Sequence, residues 1–247
     1  MKHIAVHGFS RRTKATWLCH GLGDRVAVVM MCMNYAKKHK TEVTLHINKE
    51  HAKAKASWRE LIDLLPKNKV TLQIHQVVPM EDGAWIQYLE GMSAKGVSLY
   101  HFGDGLAPLA DLCIHDYIKS SPKVNAKKFD VELPEGKFMV QQWDSRDRKR
   151  CLAKDKRAKV EQHFKNLGYE LVTIGGEAKD PLLKNSLAAI AYAVKQSDGY
   201  VGVNSGMMWV SSIVKSFDNL WVWSSPKSDH VPFLMTTDMK INHIVEF

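Results

Sequence analysis

The stretch Asp198-Gly199-Tyr200-Val201-Gly202-Val203-Asn204-Ser205-Gly206-Met207-Met208-Trp209 changes character midway. Its first half is a short apolar run with strand-forming residues, its centre is a small polar turn, and its second half opens a helix-like apolar segment. A strand, a tight turn and a helix in that order are the repeating unit of a parallel sheet. Working outward, the same alternation recurs. In the second half, strands are expected at Lys137–Gln142, Glu170–Ile174, Gly199–Val203 and Asn219–Trp223, and helices at Lys154–Leu167, Pro181–Gln196 and Met207–Phe217. In the first half, strands are expected at His3–His7, Thr16–Cys19, Glu42–Ile47, Thr71–Val77 and Val97–Tyr100, and helices at Asp24–His39 and Ala54–Leu65. The run Val26–Met33 is apolar throughout, but its length and the preceding Gly-Leu-Gly turn favour a buried helix over a strand. The fold class is therefore α/β with parallel sheets. Between Ser120 and Gly136, Ser-Ser-Pro-Lys and Leu-Pro-Glu-Gly give the strongest loop signal, and a linker is placed there, dividing the chain into residues 1–130 and 131–247.

At 247 residues, with 45% apolar and 25% charged residues, the composition is that of a folded globular chain and excludes disorder or a disulfide-stapled miniature. Thirty-five Lys and Arg face 26 Asp and Glu, a formal charge of +9. Excess positive charge favours partners that carry phosphate, such as nucleotides, nucleic acid or anionic lipid, although solvated lysines account for it equally well. The four cysteines form no C-x-x-C pair, which fits a reducing compartment and neither a zinc knuckle nor a disulfide framework. No signal-type leader and no apolar run of about 18 residues stands out, so a cytoplasmic protein is expected.

Four strand-end loops carry candidate chemistry. Gly21-Leu22-Gly23-Asp24 lies between a strand-like run and the long apolar helix, so Asp24 is either a helix cap or a carboxylate at the cleft edge. Asn204, Ser205 and Gly206 bring amide, hydroxyl and backbone N–H groups to a helix start, where they cap the helix or hold a diphosphate. After Gln141-Gln142-Trp143-Asp144 comes a basic run that includes Arg148, Lys149 and Arg150, a solvated turn or a phosphate clamp. Gly175, Gly176 and Glu177 form a strand-end turn whose acid is either exposed or a receiver of ribose hydroxyls. His101 and Asp104, with Asp111, His115 and Asp116 further on, resemble a metal cluster but read mainly as structural or acceptor-side groups.

The Gly21–Asp24 loop in the first half, with Ile174–Glu177 and Val201–Trp209 in the second, resembles the heptosyltransferase-type glycosyltransferases in order and spacing over most of the chain. That resemblance implies a GT-B-like fold of two facing Rossmann-like domains with parallel sheets. Residues 1–130 would form the acceptor-side domain and residues 131–247 the nucleotide-sugar-binding domain. It implies sugar transfer from a nucleotide-diphosphate sugar to an acceptor hydroxyl, with Asp24 as general base. Arg148, Lys149, Arg150, Gly175, Gly176, Glu177, Asn204, Ser205 and Gly206 would lie on the donor, and Gly21, Gly23, His101 and Asp104 on the acceptor side. Three departures stand out. Asn204 replaces the family's acid before Ser-Gly, Trp209 stands where a His is usual, and the chain is shorter than usual for the fold, implying a trimmed acceptor domain and an unusual acceptor.

The mechanism expected needs a base, Asp24, and a positive clamp that stabilises charge on the departing diphosphate. The basic side chains would take the place of a divalent metal, so no metal and no cofactor is expected beyond the nucleotide sugar as co-substrate. The acceptor would be anionic: a lipid-linked glycan core, or a hydroxyl on a modified base in DNA, as in phage DNA glycosylation. The alternative is a non-catalytic nucleotide- or nucleic-acid-binding α/β protein whose arginines only position the ligand.

Overall fold

The computed structural model describes residues 2–9, 22–48, 55–65, 69–75, 91, 98–103, 128–145, 148–215, 217–224 and 242–244. The chain divides into two compact units, Met1–Ser120 and Ser121–Phe247.

The first unit holds strands β1 (Lys2–Phe9), β2 (Val43–Asn48), β3 (Val70–His75) and β4 (Ser98–Gly103). All pair in parallel, in the order β3-β2-β1-β4. Helix α1 (Leu22–Lys38) joins β1 to β2, and α2 (Lys55–Leu64) joins β2 to β3. The apolar run was correctly expected to be a helix. Val26, Val28, Val29, Met30 and Cys32 are all buried, together with Trp58 and Leu61 of α2 and Val43, Leu45 and Ile47 of β2. The expected strand Thr16–Cys19 and the cluster Asp111, His115 and Asp116 lie outside the described residues.

The second unit is a five-stranded parallel sheet, β6-β5-β7-β8-β9. Its strands are β5 (Phe138–Gln142), β6 (Glu170–Thr173), β7 (Gly199–Val203), β8 (Leu220–Trp223) and β9 (Asn242–His243). Strands β5 and β7 are buried at every position, because a central parallel strand is covered on both faces and so reads as a near-continuous apolar run. Helix α3 (Lys154–Asn166) follows β5 and buries Val160 and Phe164. Phe164 meets Trp221 edge-on, with ring centroids 5.6 Å apart, in a core that includes Met139, Trp143, Val201 and Ile244. Helices α4 (Pro181–Asn185) and α5 (Leu187–Gln196) follow β6, and α6 (Gly206–Val214) follows β7.

Two expectations are corrected here. The single helix expected over Pro181–Gln196 is broken at Ser186, whose backbone is extended and whose hydroxyl accepts from Ala189 N to cap α5. A serine offers the backbone this alternative to continued helix. Helix α6 stops at Val214 rather than reaching Phe217, with Lys215 extended. No helix among the described residues is long and apolar enough to cross a membrane.

The connections place the site. From β5 the chain moves outward to β6 and then returns past β5 to β7. With right-handed crossovers, α3 and the α4–α5 pair must then cover opposite faces. The carboxyl ends of β5 and β7 therefore flank a topological switch point, the place where open α/β sheets receive ligands. In the first unit the corresponding point lies between β1 and β4.

Candidate functional site

The two glutamines ending β5 point to opposite sides of the sheet, as successive strand residues must. Gln141 is 7% exposed, donates to Thr173 Oγ1 at 3.1 Å and accepts from Trp143 Nε1 at 2.9 Å. Gln142 is 4% exposed and forms the centre of a larger network. Its Nε2 donates to the backbone oxygen and Oδ1 of Asp144. Its Oε1 accepts from Ser205 Oγ and, at 3.3 Å, from Tyr200 OH. Chemistry fixes this orientation: a carboxylate only accepts, so the amide NH2 must face Asp144 and the carbonyl is left for the two hydroxyls. Tyr200, fully buried, also lies 2.9 Å from Val203 O, and burial raises its pKa above the ordinary tyrosine value.

Glycines clear the space around this network. A Cβ on Gly202 would overlap the Gln142 carbonyl oxygen and lie 2.7 Å from Tyr200 OH. A Cβ on Gly176 would lie 2.5 Å from Asp144 Oδ2. Gly175, at φ +77°, adopts the left-handed backbone that favours glycine and is packed against Met207 and Gln142.

These contacts tie three of the four loops to one edge. The turn Gly175–Glu177 is a 3-10 segment after β6. Asn204 bonds through its N–H to Trp223 O at 3.1 Å. Ser205 is the N-cap of α6, its Oγ accepting from Met207 N at 3.2 Å, and Gly206 is the first residue of the helix. A helix start lacks i−4 carbonyl partners for its first N–H groups and carries the positive end of the helix dipole, a favourable place for an anion. Asn204, unlike an acid, brings no negative charge to it. Arg148, Lys149 and Arg150 form a 3-10 turn beyond β5; Arg148 is exposed and Arg150 half-buried.

Glu177 is already engaged. Arg157 Nη1 contacts its two carboxylate oxygens at 3.1 and 3.0 Å, while Arg157 Nε bonds Glu161 at 2.8 Å. The guanidinium also lies 6.0 Å from the Trp143 ring centroid. Partial burial alone would lower the Arg157 pKa, but the Glu161 hydrogen bond and the charges of Glu177 and Glu161 outweigh it and raise it.

In the first unit, Gly23 and Asp24 lie in the first turn of α1, which starts at Leu22, so Asp24 is inside the helix rather than capping it. His101 lies on β4 in register with His7, near the carboxyl end of the β1–β4 pair. Gly21 and Asp104 lie outside the described residues, as do the side chains of Asp24, His101 and Lys149. Sequence reasoning missed Gln142, Tyr200 and Arg157. The available signal was the Gln141-Gln142 pair itself, two amides ending an otherwise apolar strand, since buried amides require partners. Among the described residues, no group of three or more His, Cys, Asp or Glu could hold a metal ion.

No protein-family profile and no curated protein sequence matches the chain. Solved structures do. The iron-containing dodecameric glycosyltransferase TibC from enterotoxigenic E. coli H10407 matches at 12% identity and a TM-score of 0.56, over 90% of this chain and 58% of TibC. Dodecameric iron-containing heptosyltransferase TibC in complex with ADP-D-β-D-heptose matches at 13% and 0.50, over 87% of this chain and 57% of that one. A glycosyl transferase of family 9 from Veillonella parvula DSM 2008 matches at 13% and 0.54, over 99% of this chain and 86% of that one. The chain thus spans less than two thirds of TibC. The likeness is one of fold: two parallel α/β units of the GT-B kind seen in heptosyltransferase-like glycosyltransferases.

Proposed function

We propose that the chain is a glycosyltransferase that moves a sugar from a nucleotide-diphosphate donor to an acceptor hydroxyl. The observation that carries this reading is the α6 start at the β5–β7 switch point. There Ser205 and Gly206 meet a sheet edge that also bears the Gly175–Gly176 turn and leads into the basic turn Arg148–Arg150. The GT-B-like fold supports the same assignment.

On this reading the diphosphate binds at the N–H groups of α6 and is clamped by Arg148, Lys149 and Arg150. As the sugar–phosphate bond breaks, negative charge grows on the diphosphate, and preorganised N–H groups and cations stabilise it where it develops. Asp24, in the first turn of α1, takes the acceptor's proton as the new bond to the sugar forms. His101 and Asp104 belong to the acceptor side. Basic side chains supply the charge that a divalent ion supplies in other transferases, so turnover is expected to survive chelation. The acceptor is anionic, matching the net charge of +9. A lipid-linked glycan and a modified base in DNA both fit that chemistry, and nucleotide-sugar chemistry with scattered cysteines fits a cytoplasmic site of action.

The test is release of nucleoside diphosphate from nucleotide sugars by the wild-type chain and by Asp24→Asn. The variant should fall by about 10² to 10⁴ in rate with donor binding retained, the usual contribution of a general base. Equal turnover would remove Asp24 from the mechanism. Donor binding with no turnover on any acceptor would favour a non-catalytic nucleotide-binding protein.

A further inference from the structure

The Glu177 carboxylate of the Gly175–Glu177 turn, either an exposed acid or a receiver of ribose hydroxyls on the sequence, is paired with Arg157. A different carboxylate lies against the same turn. Asp144, half-buried just beyond the end of β5, sits so close to Gly176 that an ideal Cβ there would lie 2.5 Å from Oδ2. Its Oδ1 is fixed by Gln142 Nε2, and Gln142 is itself fixed by Ser205 and Tyr200. Among the described residues, no group donates to Oδ2.

We propose that Asp144 is a specificity-determining residue whose Oδ2 accepts hydrogen bonds from a vicinal hydroxyl pair of the donor. This inference rests on the nucleotide-sugar reading of the same edge. A carboxylate repels phosphate, so Asp144 is not part of the diphosphate clamp. It is an acceptor-only group, and hydroxyls are the donors that a nucleotide sugar presents. Its position is set before any ligand arrives. One oxygen is tied to a buried amide and the other lies over a glycine turn at the switch point, so little freedom remains to be lost on binding. The same Gln142 that orients Asp144 also bonds the Ser205 hydroxyl that caps α6. Hydroxyl recognition and the anion-binding helix start are thereby held in one frame.

The hydroxyl pair has two sources, the ribose and the transferred sugar. The experiment separates them by calorimetric titration of the full chain with ADP, GDP and UDP, and then with the 2′-deoxy form and the glucose conjugate of whichever binds. In Asp144→Asn the amide oxygen must face Gln142 Nε2, which turns the free position from acceptor to donor. We expect at least tenfold weaker binding of the probe that carries the recognised hydroxyls. Gly176→Ala, which displaces the carboxylate without removing its charge, should weaken the same probe, and Glu170→Gln, an exposed acid at the start of β6, should not. If the ribose is the source, Asp144→Asn weakens the nucleoside diphosphate and its glucose conjugate alike, and the 2′-deoxy form binds poorly to wild type. If the transferred sugar is the source, only the glucose conjugate is weakened. Asp144→Asn binding every wild-type ligand with unchanged affinity overturns the proposal while leaving the nucleotide reading intact. No binding of any probe to wild type overturns both.

Discussion

Replacing Gly202 by alanine puts the geometry of the switch point to a direct energetic test. The new Cβ would overlap the main-chain carbonyl oxygen of Gln142 on the neighbouring strand and stand 2.7 Å from the Tyr200 hydroxyl. A main-chain oxygen cannot rotate aside, so β5 and β7 must part locally. Overpacking of a core costs about 1–3 kcal/mol and occasionally more, and leaving a buried hydroxyl without its partner costs about 1–3 kcal/mol again. Together these give an expected loss of about 2–6 kcal/mol, a large share of the roughly 5–15 kcal/mol that holds a domain folded. Gly176→Ala is the internal comparison, because the atom in its way is a side-chain oxygen, and moving that carboxylate gives up its hydrogen bond from Gln142 but leaves the main chain in place. Its expected cost is about 0.5–1.5 kcal/mol, the net worth of that one hydrogen bond. Native-state hydrogen exchange over Phe138–Gln142 and Gly199–Val203 in the full chain reads both as changes in opening free energy. A Gly202→Ala cost below about 1 kcal/mol, or a Gly176→Ala cost larger than that of Gly202→Ala, would refute the packing argument.

Two further outcomes follow from the same contacts. Ser205→Ala removes the cap of α6 and should destabilise the second unit by about 1–2 kcal/mol in exchange experiments, while weakening diphosphate binding; a change in neither would detach this helix start from the site. Burial pushes the Cys32 thiol from 9.0 up to about 12, so the folded chain keeps its proton where the unfolded chain has lost it. The contribution is fully present below pH 9.0 and lost as pH rises towards 12, a fall of up to about 1.4 kcal/mol per pH unit that Cys32→Ala should flatten in alkaline denaturation. An unchanged slope in that variant would place the thiol outside the buried core.

The fold was legible where burial on both sides of the sheet writes itself as composition. Phe138–Val140 and Tyr200–Val203 are continuous apolar runs because β5 and β7 are covered on both faces, and the long run in α1 was told from a strand by its length. The break at Ser186 was not legible, because Leu187-Ala188-Ala189-Ile190 continues the apolar spacing across it and only the serine's capping bond reveals the new start. The site divides in the same way. A Ser-Gly pair after a strand announces a helix start from local sequence alone. The Gln142 network depends on Tyr200 and Ser205, which are 58 and 63 residues away, and the fate of Glu177 depends on Arg157, 20 residues before it. No periodicity or motif encodes such pairings; the parallel register brings them together.

Hydrogen-exchange footprinting of the chain with and without a panel of nucleotide-diphosphate sugars tests the central claim most directly. A true donor at about 100 times its dissociation constant stabilises the fold by about 2.7 kcal/mol. The account predicts that this protection centres on Gly175–Glu177 and the first turn of α6, with nucleoside diphosphate alone giving much of it. Protection confined to other segments, or none with any nucleotide sugar, would contradict it.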